Sequence, residues 1–229
     1  MEDNKEFSKI SHVLFDMDGL LLDTERLYTV AQQQILDRFN IKFTWEVKSK
    51  MMGRKALDAA NIMIDIYKLQ DHITAEEFLK ERESILDQLF PNCDLLPGVE
   101  KLILHLRERK IPMAVATSSH IRNFRLKTET KHKELFQLFD HVITGDQVQN
   151  SKPCPDIFQI AAKKFDEQID PQTVLVFEDA PLGVEAALAA NMNVVLVSES
   201  VEPGTVKCHQ HLRSMENFRP ELWGLPAFK

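Results

Sequence analysis

The chain has 229 residues, enough for one large domain or for a core domain with a smaller partner. Hydrophobic residues make up 44% of it, as is typical of a globular protein, and the formal net charge of −7 argues against a nucleic-acid partner. The seven glycines are widely spaced. The sequence therefore excludes GxGxxG, GxxxxGK[ST] and GxSxG loops, since each needs two glycines within a few positions.

The cysteines and the N-terminal segment bear on the cellular compartment. Cys93, Cys154 and Cys208 are odd in number and far apart, so they do not suggest a disulfide framework. The opening segment MEDNKEFSK lacks the apolar stretch of a signal peptide, and no apolar run is long enough to cross a membrane. We therefore expect a cytoplasmic protein without a membrane partner. A monomer is also expected, although no feature of the sequence specifies the oligomeric state.

Five short apolar or β-branched runs are typical of strands that are buried on both faces, as in a parallel sheet. These runs are His12–Phe15, Met113–Ala116, His141–Thr144, Thr173–Phe177 and Asn193–Val197. Apolar residues at helical spacing lie between the later runs, so strands and helices are predicted to alternate. The sequence thus predicts an α/β fold with a doubly wound parallel sheet.

The alternation is interrupted once, between Asp23 and about Asp94, where apolar residues recur only at helical spacing. Thr74 and Glu77 form a capping box that predicts the start of one helix in this block. We predict a catalytic core of residues 1–23 and 94–229 and an inserted helical cap domain of residues 24–93. Such a cap would lie over the carboxyl edge of the sheet, where open α/β folds bind ligands.

Polar side chains follow four of the predicted strands. They are Asp16 and Asp18, then Thr117 and Ser118, then Lys152 in a loop, and finally Glu178 and Asp179. Because parallel strands end at one edge of a sheet, we expect these side chains to surround one cavity. Carboxylates suit Mg²⁺, while ammonium and hydroxyl groups suit phosphate oxygens. The pattern predicts phosphoryl transfer in an acidic, metal-bearing crevice.

This set of motifs resembles the haloacid dehalogenase superfamily, in the phosphatase branch that carries a helical cap after the first motif. The DxDG motif is at residues 16–19, and the other three motifs are Thr117 or Ser118, Lys152, and Glu178 with Asp179. The stretches FDMDGLLLDTERLY and VFEDAPLGVEAA are similar to a subgroup that contains phosphatases of pseudouridine 5′-phosphate. The resemblance implies a Rossmann-like core and a Mg²⁺-dependent phosphomonoester hydrolase for a small phosphorylated metabolite, with pseudouridine 5′-phosphate as the expected substrate.

The resemblance also implies roles for the acidic residues. Asp16 would be the nucleophile that forms an aspartyl-phosphate, and Asp18 would be the general acid and then the general base. Mg²⁺ would be held by the Asp16 carboxylate, the Asp18 backbone carbonyl and Asp179. Glu178 would be either a further metal ligand or a residue behind the ligands.

Four further residues are candidates for substrate binding. Lys152 and either Thr117 or Ser118 would hold the phosphate oxygens, as the resemblance implies. In the predicted cap, the segment Gly53–Lys55 resembles a substrate-specificity loop, which makes Arg54 a candidate for substrate contact. The alternative is that this segment is a helix connector whose charges are solvated.

The alternatives are a phosphatase with another substrate, an isomerase and a non-catalytic binding protein. Related phosphatases act on glycerol phosphate and sugar phosphates, and a phosphoglucomutase-type isomerase shares the core and cap. Such mutases carry a histidine in the first cap helix, around the position of Tyr28. A binding protein built on an inactive core would lack Asp16, Asp18 or Lys152, and all three are present.

Two other segments contain metal-ligating or basic residues without a supporting pattern. Residues 208–211 read CHQH, but no complementary cluster accompanies them, so they are predicted to form a surface loop. Residues 122–133 are rich in basic side chains, without the aromatic alternation that would suit base stacking. This second segment is predicted to be a solvated helix face.

Overall fold

The structure, a computed structural model, describes residues 9–51, 56–166 and 168–229. The chain divides into two compact units. One joins the segment that ends at Asp23 to Asp94–Lys229, and the other is Thr24–Cys93. The first unit contains the β-sheet and the second is helical. Arg54 lies outside the described residues.

Within the described residues, six parallel strands form one sheet in the order β3-β2-β1-β4-β5-β6. The strands are β1 (His12–Phe15), β2 (Met113–Ala116), β3 (His141–Ile143), β4 (Val174–Glu178), β5 (Asn193–Val197) and β6 (Gln210–Leu212). From β1 the sheet extends through β2 and β3 on one side and through the later strands on the other, which is the doubly wound arrangement. The predicted α/β fold is confirmed.

The helices differ in their distribution between the two units. In the helical unit they are α1 (Thr24–Asp37), α2 (Trp45–Met51), α3 (Ala56–Tyr67) and α4 (Ala75–Leu89). In the sheet-containing unit they are α5 (Val99–Glu108), α6 (Ile121–Thr128), α7 (Lys133–Phe136), α8 (Asp156–Lys163) and α9 (Pro181–Ala189). None of the helices in the described part of the chain is long and apolar enough to cross a bilayer.

One face of the sheet packs against α8 and α9. Leu14, Val176 and Leu196 point from three strands into a fully buried cluster, which Phe158 of α8 and Val184 of α9 complete. Alternate strand residues face this cluster because side chains on a strand alternate between the two faces of the sheet. The apolar face of α8 and the buried apolar residues of α9 therefore fix these helices on the sheet.

The helical unit has its own core. Leu36 of α1, Met63 of α3 and Phe78 of α4 are buried together in it. The predicted capping box begins α4: the Glu77 N–H donates to the Thr74 hydroxyl at 3.2 Å, and the Thr74 N–H donates to the Glu77 carboxylate at 2.9 Å. The helix start predicted at Thr74 is confirmed.

The prediction of a surface loop at residues 208–211 is wrong for Gln210 and His211. Gln210–Leu212 is strand β6, which pairs with β5 at the edge of the sheet. The Trp223 indole N–H donates to Gln210 Oε1 at 3.0 Å, and His211 Nε2 lies 2.9 Å from the Ser198 carbonyl oxygen. An edge strand of three half-buried residues lacks the continuous apolar run that identified the central strands.

Candidate active site

A tight turn follows β1 and carries the two aspartates. Asp16 directly follows the strand, and its N–H donates to the Phe177 carbonyl at 3.0 Å. Gly19 has φ of 78°, a left-handed conformation that favours glycine, and its N–H donates to the Leu22 carbonyl at 2.9 Å. The turn leaves the Asp16 side chain buried and that of Asp18 partly exposed.

Asp16, Lys152 and Glu178 form a buried charged cluster. Lys152 Nζ lies 2.6 Å from Asp16 Oδ1 and 2.5 Å from Glu178 Oε1. It also donates to the Ala116 carbonyl at 3.3 Å. Three chain segments that are distant in sequence therefore meet at one ammonium group, and its charge compensates the two buried carboxylates.

The cluster shifts the pKa values of its members. Burial raises the pKa of Asp16 to about 7, and the negative charge of Glu178 acts in the same direction, while Lys152 acts against it. Burial by itself would lower the pKa of Lys152, but the charges of Asp16 and Glu178 outweigh it, so the pKa of Lys152 is raised. Lys152 is therefore charged at neutral pH.

Glu178 is held in place by the start of α9. Its Oε2 accepts hydrogen bonds from the N–H groups of Asp179 at 3.0 Å and Ala180 at 3.2 Å. Gly183 lies in the first turn of α9, and a Cβ atom on this residue would overlap the Glu178 carboxyl group. The absence of a side chain at residue 183 therefore lets Glu178 lie against the helix.

The acidic groups are close enough to share a cation. Oxygens of Asp16, Glu178 and Asp179 all lie within 4.8 Å of one another. An all-oxygen, carboxylate-rich donor set fits Mg²⁺, which takes one or two carboxylates together with water and phosphate oxygens. These three residues fit the predicted metal, and the Asp18 carbonyl predicted as a ligand belongs to the same turn as Asp16.

Thr117 and Ser118 differ in their surroundings at the end of β2. Thr117 is fully buried, and its hydroxyl oxygen accepts the Ser119 N–H at 3.1 Å. The backbone N–H of Thr117 donates to the Ile143 carbonyl at 3.0 Å. Ser118, in contrast, is exposed. The Thr117 hydroxyl therefore stabilises the turn, whereas that of Ser118 faces solvent.

The prediction that residues 122–133 form a solvated helix face is wrong at Lys127. Lys127 is fully buried, and its Nζ lies 2.5 Å from Asp18 Oδ1 and 2.9 Å from Ser119 Oγ. The Ser119 hydroxyl donates to Asp18 Oδ2 at 2.7 Å. Lys127 lies three residues after Phe124 and so shares its helix face, a signal in the sequence that could have identified it.

Tyr28, around whose position related mutases are expected to carry a histidine, packs within the helical unit. Its ring meets the Phe90 ring edge-on at 5.9 Å, and the Arg82 guanidinium lies 5.4 Å from the ring centre. Tyr28 therefore takes part in an aromatic and cation–π contact in that unit.

Comparison with known proteins identifies the family. The model of the haloacid dehalogenase-like hydrolase family matches residues 13–197. (DL)-glycerol-3-phosphatase 2 of Arabidopsis thaliana is 51% identical over 228 residues, which are 96% of this chain and 93% of that protein. A probable pseudouridine-5′-phosphatase of Drosophila melanogaster is 43% identical over 230 residues, 98% of each chain.

A solved structure supports the same assignment. The crystal structure of a putative β-phosphoglucomutase from Thermotoga maritima superimposes with a TM-score of 0.77 at 27% identity, covering 93% of this chain and 97% of that one. The family match, the two phosphatase relatives and the shared fold agree with one another. The chain therefore belongs to the haloacid dehalogenase-like hydrolase family, and the predicted enzyme class, a phosphatase, is confirmed.

Proposed function

We propose that the protein hydrolyses small phosphomonoesters through an aspartyl-phosphate on Asp16, with Mg²⁺ as its cofactor. The observation that carries the proposal is the convergence of the Asp16 carboxylate with Lys152, Glu178 and Asp179 at one edge of the sheet. A carboxylate nucleophile is repelled by a phosphate dianion, so it needs positive charge beside it. Lys152 supplies part of that charge.

In the first step, an Asp16 oxygen forms a bond to phosphorus as the bond from phosphorus to the ester oxygen breaks. Asp18 gives its proton to the departing alkoxide, which leaves as an alcohol. In the second step, Asp18 takes a proton from water, and the water oxygen attacks the phosphorus of the aspartyl-phosphate. Inorganic phosphate leaves, and Asp16 and Asp18 return to their starting states.

The proposed Mg²⁺ ligands are the Asp16 carboxylate, the Asp18 carbonyl and Asp179, with Glu178 as a further ligand or as a support behind them. When bound, the ion would offset negative charge on the phosphate oxygens. Glu178 already accepts two backbone N–H groups and the Lys152 ammonium, which orients its carboxylate.

Substrate contacts are proposed for four residues. Lys152, with Thr117 or Ser118, would hold the phosphate oxygens. We also propose that residues 24–93 are a cap domain and that Arg54 contacts the substrate, while residues 1–23 and 94–229 are the catalytic core. The division of the chain into compact units after Asp23 and before Asp94 supports this assignment of domains.

The proposed substrate is pseudouridine 5′-phosphate, with glycerol 3-phosphate as the second candidate. The 43% identical Drosophila relative supports the first compound, and the 51% identical Arabidopsis relative supports the second. Both compounds, pseudouridine 5′-phosphate and glycerol 3-phosphate, are small alkyl phosphates with hydroxyl groups near the ester. We further propose that the protein acts as a cytoplasmic monomer.

The test is release of inorganic phosphate with and without Mg²⁺ from pseudouridine 5′-phosphate, glycerol 3-phosphate and a set of sugar phosphates. We expect Mg²⁺-dependent release, with the highest kcat/KM for pseudouridine 5′-phosphate. A glycerol 3-phosphate preference would select the second candidate. Formation of an isomeric sugar phosphate without phosphate release would instead identify a mutase and contradict the proposal.

A further inference from the structure

We infer that Lys127 is a positioning residue that, together with Ser119, holds the Asp18 carboxyl group in place for proton transfer. This inference rests on the proposed function, because it assigns Lys127 to the general acid and base of that reaction. The three side chains form a closed triangle: Lys127 Nζ to Asp18 Oδ1 at 2.5 Å, Lys127 Nζ to Ser119 Oγ at 2.9 Å, and Ser119 Oγ to Asp18 Oδ2 at 2.7 Å.

The burial of Lys127 shows that its position is specified by the fold. Its side chain is 0% exposed, whereas the side chain of Arg125 on the same helix is 64% exposed. Transfer of an ammonium group out of water costs several kcal/mol unless it is paired and hydrogen-bonded. Helix α6 therefore places Lys127 against the turn after β1, and not in solvent like Arg125.

The triangle fixes both oxygens of Asp18. Each oxygen accepts one hydrogen bond, so rotation of the carboxyl group would break both contacts. Ser119 is itself anchored, because its N–H donates to Thr117 Oγ1 at 3.1 Å and its carbonyl accepts the Gly145 N–H at 2.9 Å. The orientation of Asp18 is thereby tied to the ends of β2 and β3.

A purely structural role explains this arrangement less well. Replacing a buried ion pair by apolar residues is often neutral or stabilising, so the pair is not accounted for by stability. The Asp18 side chain is 26% exposed, and it therefore stays accessible while its cation is enclosed. An oriented and accessible acid is the arrangement that proton transfer to a leaving group requires.

The experiment compares Lys127→Met and wild type on two substrates, an alkyl phosphate that the wild type hydrolyses and p-nitrophenyl phosphate. An alkoxide needs a proton in order to leave, whereas p-nitrophenolate does not. Since kcat/KM reports the steps through departure of the leaving group, we expect it to fall about 10- to 100-fold for the alkyl phosphate and less than about threefold for the aryl phosphate. Ser119→Ala should show the same selective loss, to a smaller extent.

The ratio of the two kcat/KM values on one preparation does not depend on the fraction of folded enzyme, so partial misfolding of Lys127→Met leaves the test valid. Arg125→Met removes an exposed cation from the same helix and should leave the ratio unchanged. Asp18→Asn separates the two hypotheses. If Asp18→Asn lacks the selective loss of kcat/KM for the alkyl phosphate, the proposed role of Asp18 is wrong. If Asp18→Asn shows this loss while Lys127→Met lowers kcat/KM equally for both substrates, the inference about Lys127 is overturned.

Discussion

The two aspartates of the turn after β1 each meet a lysine, but the two pairs differ in their access to solvent. The Asp16 and Lys152 side chains are each 9% exposed, and Glu178 beside them is 1% exposed. In the other pair, Lys127 is 0% exposed and Asp18 is 26% exposed. One pair is enclosed on both sides, whereas in the other only the cation is enclosed.

This difference separates two uses of a buried ammonium group. Lys152 compensates two carboxylates that have little access to water, so the stability of the site depends on its charge. Lys127 contacts a carboxyl group that water can reach, so the stability of the site depends less on the charge of Lys127. The first pair should therefore dominate stability and nucleophilic attack, and the second should affect proton transfer.

The largest expected effect tests the enclosed pair through Asp16, the proposed nucleophile. Asp16→Asn removes the carboxylate that is proposed to attack phosphorus, so turnover and phosphoenzyme formation should both be abolished. Phosphate release and trapping of labelled phosphoenzyme measure these effects. Asp58→Asn, at an exposed aspartate of α3, is the matched control and should retain full activity. More than a trace of turnover by Asp16→Asn would refute the covalent route.

The next effect compares the stability contributions of the two lysines. Lys152→Met leaves Asp16 and Glu178 buried without their cation and should lower the free energy of unfolding by about 3–5 kcal/mol. Lys127→Met should cost much less, since Asp18 is partly hydrated. Urea unfolding of both variants at neutral pH measures the two values. Equal losses would show that the difference in exposure does not control stability.

A smaller effect is expected where α9 supports the enclosed pair. Gly183→Ala introduces a Cβ atom into the space of the Glu178 carboxyl group, and such overpacking typically costs about 1–3 kcal/mol. A displaced Glu178 should also raise the Mg²⁺ concentration needed for half-maximal activity. Glu185→Ala, on the exposed face of the same helix, controls for the substitution itself. Unchanged stability and Mg²⁺ dependence would mean that Glu178 moves without consequence.

The smallest effect lies at the amino ends of β1 and β3, at the opposite end of the strands from both pairs. Burial lowers the pKa values of His12 and His141 below the ordinary value of 6.5, and both rings contact Phe165. Between 6.5 and the lowered values these two histidines bind more protons in the unfolded chain, so their contribution to the free energy of unfolding should fall as the pH drops through this range. The raised pKa of Asp16 acts in the opposite direction, so the histidine contribution is measured by comparing urea unfolding of the wild type and of His141→Phe at about pH 7.5 and about pH 5.5.

His141→Phe keeps an aromatic ring against Phe165 but cannot bind a proton. The free energy of unfolding at about pH 7.5 minus that at about pH 5.5 should therefore be lower in this variant than in the wild type. An unchanged difference would show that His141 does not contribute to the acid sensitivity of the fold.

Much of the fold followed from local pattern. The apolar runs located β1, β2, β4 and β5 to within a residue at each end, because strands with neighbours on both sides bury both faces. Asn191 has φ of 59° just after α9, a left-handed conformation that asparagine tolerates at a helix end. The edge strand β6 was missed, because three half-buried residues leave no distinctive run.

The candidate site divides in the same way. The sequence alone determined that Asp16, Lys152 and Glu178 would meet, because each follows or ends a parallel strand and such strands end at one edge of the sheet. Only the tertiary structure decided that Lys127 would be buried against Asp18, a residue 109 positions earlier. Helical spacing places Lys127 on a face of α6, but which group that face meets depends on how the helix packs, and packing is a property of the whole fold.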